Sequence, residues 1–474
     1  MRWFKSLGVP FKSVLLTLCA LLASAMPARA VLTDRYLVGL KLRAFEAAWD
    51  AQTDEARRRS AAAILEPLTF TFLSGNLSRA ALLLDQARFK LVEVPESNRW
   101  SQALAARVVK PLVDAKDRQV KGKLAWVYKP QGAVPEDANI HLVHNGKSLL
   151  APCKVSELGE TNRDFTVVLP EGAKPGSHTL YFEVRMGDQV LHTGKVPLWV
   201  IDNLDGCLSK LESLSGQVEK LPPSVGRSTW LLLHGRLKQA TQGKDLETEY
   251  PLGQWLTELP GAAEELRAGQ VWPKPTSPGP LWLAIPIGSI DKVVRIEGAA
   301  RDGKTPLTCV VALHGAGGSE NLFCEGHGAL APKLAAQKGW LLVSPLNGPN
   351  DELIEKLSAW HPIDKNRVVT VGHSMGAANA TAWGARKPQQ LRAVAALGGG
   401  GRAGKGEVWQ KLPYFIGIGD KDFAFSGAKS LSEALRQAGN PSVTLKIYPG
   451  LEHLTVVQAC LPDVFAFFEQ ALNK

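Results

Sequence analysis

After Pro280 the chain falls into a repeated rhythm of strand, loop and helix. Apolar runs with strand character occur at 281–285, 308–313, 340–343, 367–371, 393–397, 414–418 and 443–448. Helical patterns at 329–338, 374–386 and 428–438 lie between them. The later runs are apolar almost throughout, as strands of a parallel sheet covered on both faces must be. The alternation predicts a doubly wound, mostly parallel sheet over 281–474.

One strand of this set, 367–371, runs straight into Gly372-His373-Ser374-Met375-Gly376. The two glycines permit a turn sharp enough to lift a serine hydroxyl off the sheet. The Ala-rich helix behind it presents its N-terminus to developing negative charge. Ser374 is therefore the expected nucleophile. A second element, His314-Gly315-Ala316-Gly317-Gly318, directly follows the strand at 308–313. Its small residues let backbone N–H groups approach a substrate oxygen. The oxyanion hole is assigned to the N–H of Met375 with that of Ala316 or Gly315.

In an α/β-hydrolase arrangement the nucleophile, acid and base follow one another in that order along the chain. His453 is the one histidine after Ser374, and it lies in a loop between the last strand and the final helix. It is the expected base. The acid should follow the strand at 414–418, where Gly419-Asp420-Lys421-Asp422 offers two carboxylates. Asp422 is preferred, because a few residues beyond the strand end bring the side chain within reach of the histidine loop. Asp420 is the fallback, with a loop-bracing role as its alternative. Glu452, beside the base, is expected to be solvated. Such a triad works through an acyl-enzyme and requires no metal or organic cofactor.

These residues carry a resemblance. Leu313-His314-Gly315-Ala316-Gly317-Gly318, Ile363-Asp364-Lys365-Asn366-Arg367-Val368, Gly372-His373-Ser374-Met375-Gly376 and Gly417-Ile418-Gly419-Asp420-Lys421-Asp422 resemble secreted bacterial esterases. The group is that of polyhydroxybutyrate-depolymerase- and feruloyl-esterase-like α/β-hydrolases, which shade into prolyl-oligopeptidase-like peptidases. The Asp-x-x-Arg-Val approach to the nucleophile strand is the more specific motif; the others are shared across the superfamily. The resemblance spans 281–474 alone, and it implies a serine-dependent hydrolase acting on esters.

The remainder of the chain reads differently. Residues 31–118 are expected to be a helical domain, with Leu37, Leu40, Phe45 and Trp49 at helical spacing. Residues 119–202 hold short β-rich runs separated by Pro and Gly, which predicts a β-sandwich-like domain. Within it, His141 and His144 would face opposite sides of one strand, so no metal site is expected. Residues 203–270 return to helix, with Leu208, Leu211, Leu214 and Val218 on one side. The Pro-rich stretch 271–280 reads as a linker. The expected architecture is multidomain: helical and β-sandwich-like regions precede a C-terminal α/β-hydrolase.

Residues 1–30 have a basic start, an apolar run at 14–25 and Ala28-Arg29-Ala30, the pattern of a secretory signal peptide cleaved after Ala30. Secretion or a periplasmic location follows, without stable membrane insertion. Loss of that segment removes Arg2, Lys5, Lys12 and Arg29, and lowers the formal net charge from +10 to +6. No basic block interleaved with aromatics appears, which argues against nucleic-acid binding. Cys153, Cys207, Cys309, Cys324 and Cys460 remain. Cys153 with Cys207 and Cys324 with Cys460 are candidate disulfides, and Cys309 reads as a buried thiol.

The leading expectation is a secreted carboxylesterase acting on a small-molecule or polymeric ester. The alternatives are a prolyl-oligopeptidase-like serine peptidase and a non-catalytic binding protein on a hydrolase scaffold. Carbohydrate or protein contact through the N-terminal regions is left open. The peptidase comparison is weakened by the lack of a blade-length repeat. Phe323, Trp360 and Phe423 are candidate cleft residues near the motifs.

Overall fold

The structure is a computed structural model that describes residues 35–158, 162–244, 246–349 and 351–473. The signal-peptide reading of 1–30 lies outside the described residues. Four helices open it: α1 (Arg35–Ala51), α2 (Glu55–Leu65), α3 (Leu68–Leu73) and α4 (Leu77–Leu91). Asp54 caps α2 by accepting from the N–H groups of Ala56 and Arg57, and Asn76 caps α4 through that of Arg79.

Nine strands follow: β1 (Leu104–Val108), β2 (Leu112–Asp114), β3 (Gln119–Trp126), β4 (Ala138–His144), β5 (Lys147–Ser148), β6 (Cys153–Lys154), β7 (Arg163–Val168), β8 (Gly176–Met186) and β9 (Gln189–Ile201). They form a three-stranded sheet, β1-β3-β7, and a second sheet ordered β2-β9-β8-β4-β5, with β6 beside β4. Trp100, Val120, Phe165, Leu180, Val184 and Leu198 are buried in one shared core between them. The β region thus begins at 104 rather than 119. Residues 104–114 looked helical because they are short and apolar, but β1 pairs with β3 and β2 with β9.

Helices α5 (Leu204–Val218), α6 (Val225–Thr241) and α7 (Leu252–Arg267) form a third layer. They bury Leu211, Trp230, Leu237 and Leu259 together with Trp282 of the following sheet. Helix α7 sits flush on β9: a Cβ on Gly253 would lie 2.2 Å from the Trp199 ring.

The C-terminal sheet contains β10 (Leu281–Ile287), β11 (Ile290–Gly298), β12 (Leu307–Leu313), β13 (Leu341–Pro345), β14 (Ile363–His373), β15 (Ala393–Leu397), β16 (Tyr414–Gly419) and β17 (Val443–Tyr448). The spatial order is β10-β11-β13-β12-β14-β15-β16-β17. Strands β10, β11 and β13 pair antiparallel, and every pairing from β13 onward is parallel. The sheet is mostly parallel with an antiparallel edge at β10 and β11, as the strand–helix alternation of 281–474 predicts. Its helices are α8 (Leu322–Glu325), α9 (Leu330–Gln337), α10 (Leu353–Ser358), α11 (Met375–Arg386), α12 (Phe425–Gln437) and α13 (Thr455–Leu472).

Alternate residues of each central strand enter opposite cores. Val310, Ala312, Val369 and Val371 face one side, and Cys309, Val311, Leu313 and Val368 the other. The first of these cores has an unexpected second half. Phe45, Trp49, Leu65 and Leu84 of the N-terminal helices share it with Phe465 and Phe468 of α13. The N-terminal helices are packed on the C-terminal sheet and α13 rather than beside them.

All five described cysteines are free thiols, so neither candidate disulfide is formed. Cys324 and Cys460 are both buried, each in its own helix. Burial raises the thiol of Cys309 to about 12.

Candidate active site

Ser374 sits at φ 56°, ψ −115°, between the end of β14 and the start of α11. A non-glycine residue there is held by its surroundings. Its N–H donates to Leu397 O at 2.8 Å. Both flanking glycines are sterically required. A Cβ on Gly372 would lie 2.1 Å from Gly376 O, and one on Gly376 would lie 2.0 Å from Leu313 O. The lead-in is braced as well. Asp364 accepts from the Asn366 N–H at 3.0 Å, and Arg367 donates to Leu472 O at 3.1 Å, tying β14 to the end of α13.

His453 Nδ1 lies 2.9 and 3.0 Å from the two carboxylate oxygens of Asp422. The Asp422 side chain is fully buried, and its Oδ1 also accepts from the Ala424 N–H at 2.8 Å. His453 Nε2 is buried with no hydrogen-bond partner in the protein. His453 and Ser374 line the same cavity. Asp420 lies apart from the imidazole: it accepts from the Gly450 N–H at 2.7 Å and so fastens the histidine loop. The two loops are further joined by Lys421 N–H to Leu451 O at 3.1 Å.

Met375 is the first residue of α11, so its N–H has no acceptor within the helix. Gly315 lies opposite, where a Cβ would come within 3.1 Å of the Ser374 Cβ. Gly315, Ala316, Gly317 and Gly318 all line the cavity that holds Ser374. The turn is closed by the Gly318 N–H donating to Gly315 O at 3.1 Å.

Glu452 departs from expectation. It is buried, not solvated, and accepts from the N–H groups of Leu454 and Thr455 at 2.8 Å each, capping α13. Burial still dominates, raising its carboxyl to about 7. Of the three cleft candidates, Phe423 alone lines the cavity, its ring 4.3 Å from that of His453. Phe323 is fully buried in the core, and Trp360 donates its indole N–H to Pro273 O at 2.8 Å.

Two features had no sequence signal. His373 donates from Nε2 to His453 O at 2.9 Å and packs its ring 4.6 Å from the base. Burial and the neighbouring His453, His327 and His314 hold it well below the ordinary histidine range, so it is neutral. The second feature is the far wall of the cavity. Val38, Leu42, Leu68 and Phe72 reach it from the N-terminal helices.

No family model matches the sequence, and no curated protein matches it. Solved structures do match. A feruloyl esterase module from Clostridium thermocellum overlays at TM-score 0.36 and 14% identity, over 41% of this chain and 89% of that one. A fluorophosphonate-binding serine hydrolase from Staphylococcus aureus gives TM-score 0.34 and 12% identity, over 40% and 97%. An S-formylglutathione hydrolase from Agrobacterium tumefaciens gives TM-score 0.34 and 14% identity, over 41% and 95%.

Proposed function

We propose that this chain is a serine carboxylesterase that works through an acyl-enzyme on Ser374. The observation that carries the reading is the buried Asp422–His453 pair, whose histidine has an unpartnered Nε2 and lines the same cavity as Ser374. His453 Nε2 takes the proton as Ser374 Oγ attacks the ester carbonyl. Asp422 holds the Nδ1–H tautomer and steadies the imidazolium. Charge then moves onto the carbonyl oxygen, where the Met375 N–H and that of Gly315 or Ala316 stabilise it. One such donor is worth roughly 3 kcal/mol in the transition state. His453 returns the proton to the departing alkoxide and next activates the water that releases the acid. The proposed site of action is outside the cytoplasm, on the pattern of residues 1–30.

A fluorophosphonate probe tests the nucleophile. It should label the wild-type chain at Ser374 and leave Ser374→Ala unlabelled. Equal labelling of both, or of neither, would overturn the reading.

A further inference from the structure

The cavity at Ser374 has about 230 Å³ of internal space and is lined mainly by apolar groups. One wall is the loop 315–318. The opposite wall belongs to no part of the hydrolase domain. Val38, Gly39 and Leu42 contribute one face of α1, and Leu68 and Phe72 come from α3. Contact between the walls is close, since a Cβ on Gly317 would lie 2.9 Å from the Phe72 ring. Two cations reach the cavity and each faces a carboxylate: Arg43 with Glu325 at 3.4 Å, and Arg35 with Glu247 at 3.6 Å. A ligand group there meets hydrocarbon and neutralised charge, which suits an uncharged apolar moiety.

The two ends of the cavity differ chemically. His453 must hand its proton to the leaving group, so the alcohol portion lies toward His453 and Phe423. That end is open, with Phe423 54% exposed and Phe70 58% exposed beside it, their rings 4.9 Å apart. The acyl portion extends the other way, along the glycine loop toward α1 and α3. We propose that these two N-terminal helices form the acyl-binding pocket, and that the preferred substrates are esters of apolar, medium-length aliphatic acids. This rests on Ser374 being the acylated nucleophile.

Gly39 offers a clean test. Its added Cβ would meet nothing nearer than Arg43 Nη1 at 3.6 Å, and a helical glycine is readily replaced. Gly39→Leu should fill the pocket, and Phe72→Ala should lengthen it. The readout is the ratio of kcat/KM for p-nitrophenyl octanoate to that for p-nitrophenyl acetate. In Gly39→Leu the ratio should fall at least about tenfold, the cost of excluding a methylene or more. In Phe72→Ala the optimum should move to longer chains. An unchanged ratio in both variants, with Ser374 still labelled by the fluorophosphonate, would sink the pocket assignment and leave the esterase reading standing. Failure of that labelling in the wild type would sink both.

Discussion

Two aspartates two residues apart have separate duties. Asp422 receives His453 Nδ1, whereas Asp420 receives the Gly450 N–H of the same loop. Asp422→Asn should therefore lower kcat by about four orders of magnitude, since an amide favours the wrong imidazole tautomer. Asp420→Asn keeps an oxygen for Gly450 and should retain most of the activity. Steady-state hydrolysis of p-nitrophenyl acetate checks both; a deeper loss in the Asp420 variant would reverse the assignment. That Asp422 rather than Asp420 meets the imidazole is legible in the sequence, because loop length limits reach. The burial of Glu452 is not, because its two backbone donors belong to a helix start that follows it.

Helix α1 shows what periodicity can and cannot disclose. Leu37, Phe45 and Trp49 repeat at helical spacing and are buried in the core, as their pattern indicates. The face that touches the C-terminal domain is mixed: Val38, Leu42 and Glu46 at intervals of four residues, then Asp50. Glu46 is buried and accepts from the His327 N–H at 2.7 Å and the Gly328 N–H at 3.3 Å; Asp50 bonds Gln458. A mixed face reads as solvated until its partner is known. Strand β11 was missed for a similar reason. Its Lys292 and Arg295 are buried, the first bonded to Gly348 O and the second paired with Glu297 and Glu325. The Glu46 contact has a pH signature. Burial raises its carboxyl from 4.5 to about 7. The folded state then holds a proton that the unfolded chain has lost, so this group removes stability as pH rises from about 4.5 to about 7. Glu46→Gln cannot titrate. Between pH 4 and pH 8, the urea-derived stability of the variant should gain on that of the wild type by on the order of 3 kcal/mol. Parallel stability curves would contradict it. His327, pushed down to about 4 by burial, shifts stability the opposite way.

At the scale of the whole chain, the loop that faces Ser374 is founded on residues from three other segments. Glu325, at the end of the short helix after that loop, receives Thr248 Oγ1 at 2.6 Å, Arg43 at 3.4 Å and Arg295. Asn321 Oδ1 accepts from the Trp282 indole at 2.9 Å and from Arg295 at 3.0 Å. Arg43 of α1 and Thr248, in the connection between α6 and α7, therefore meet on one carboxylate beside that loop. The hydrophobic cores cross the same boundaries: α1, α2 and α4 share theirs with α13, and Trp282 of β10 is buried among α5, α6 and α7. The motifs within 281–474 are readable because their chemistry is local, but they do not disclose that the outer surface of this segment is apolar and covered. Residues 281–474 expressed alone would expose that surface, and large exposed apolar patches drive association. The isolated segment should aggregate. The chain from residue 31 onward should unfold in one transition, with tryptophan fluorescence and esterase activity lost at the same urea concentration. A soluble, active 281–474 fragment, or a first transition that spares activity, would show that the N-terminal segments are separable.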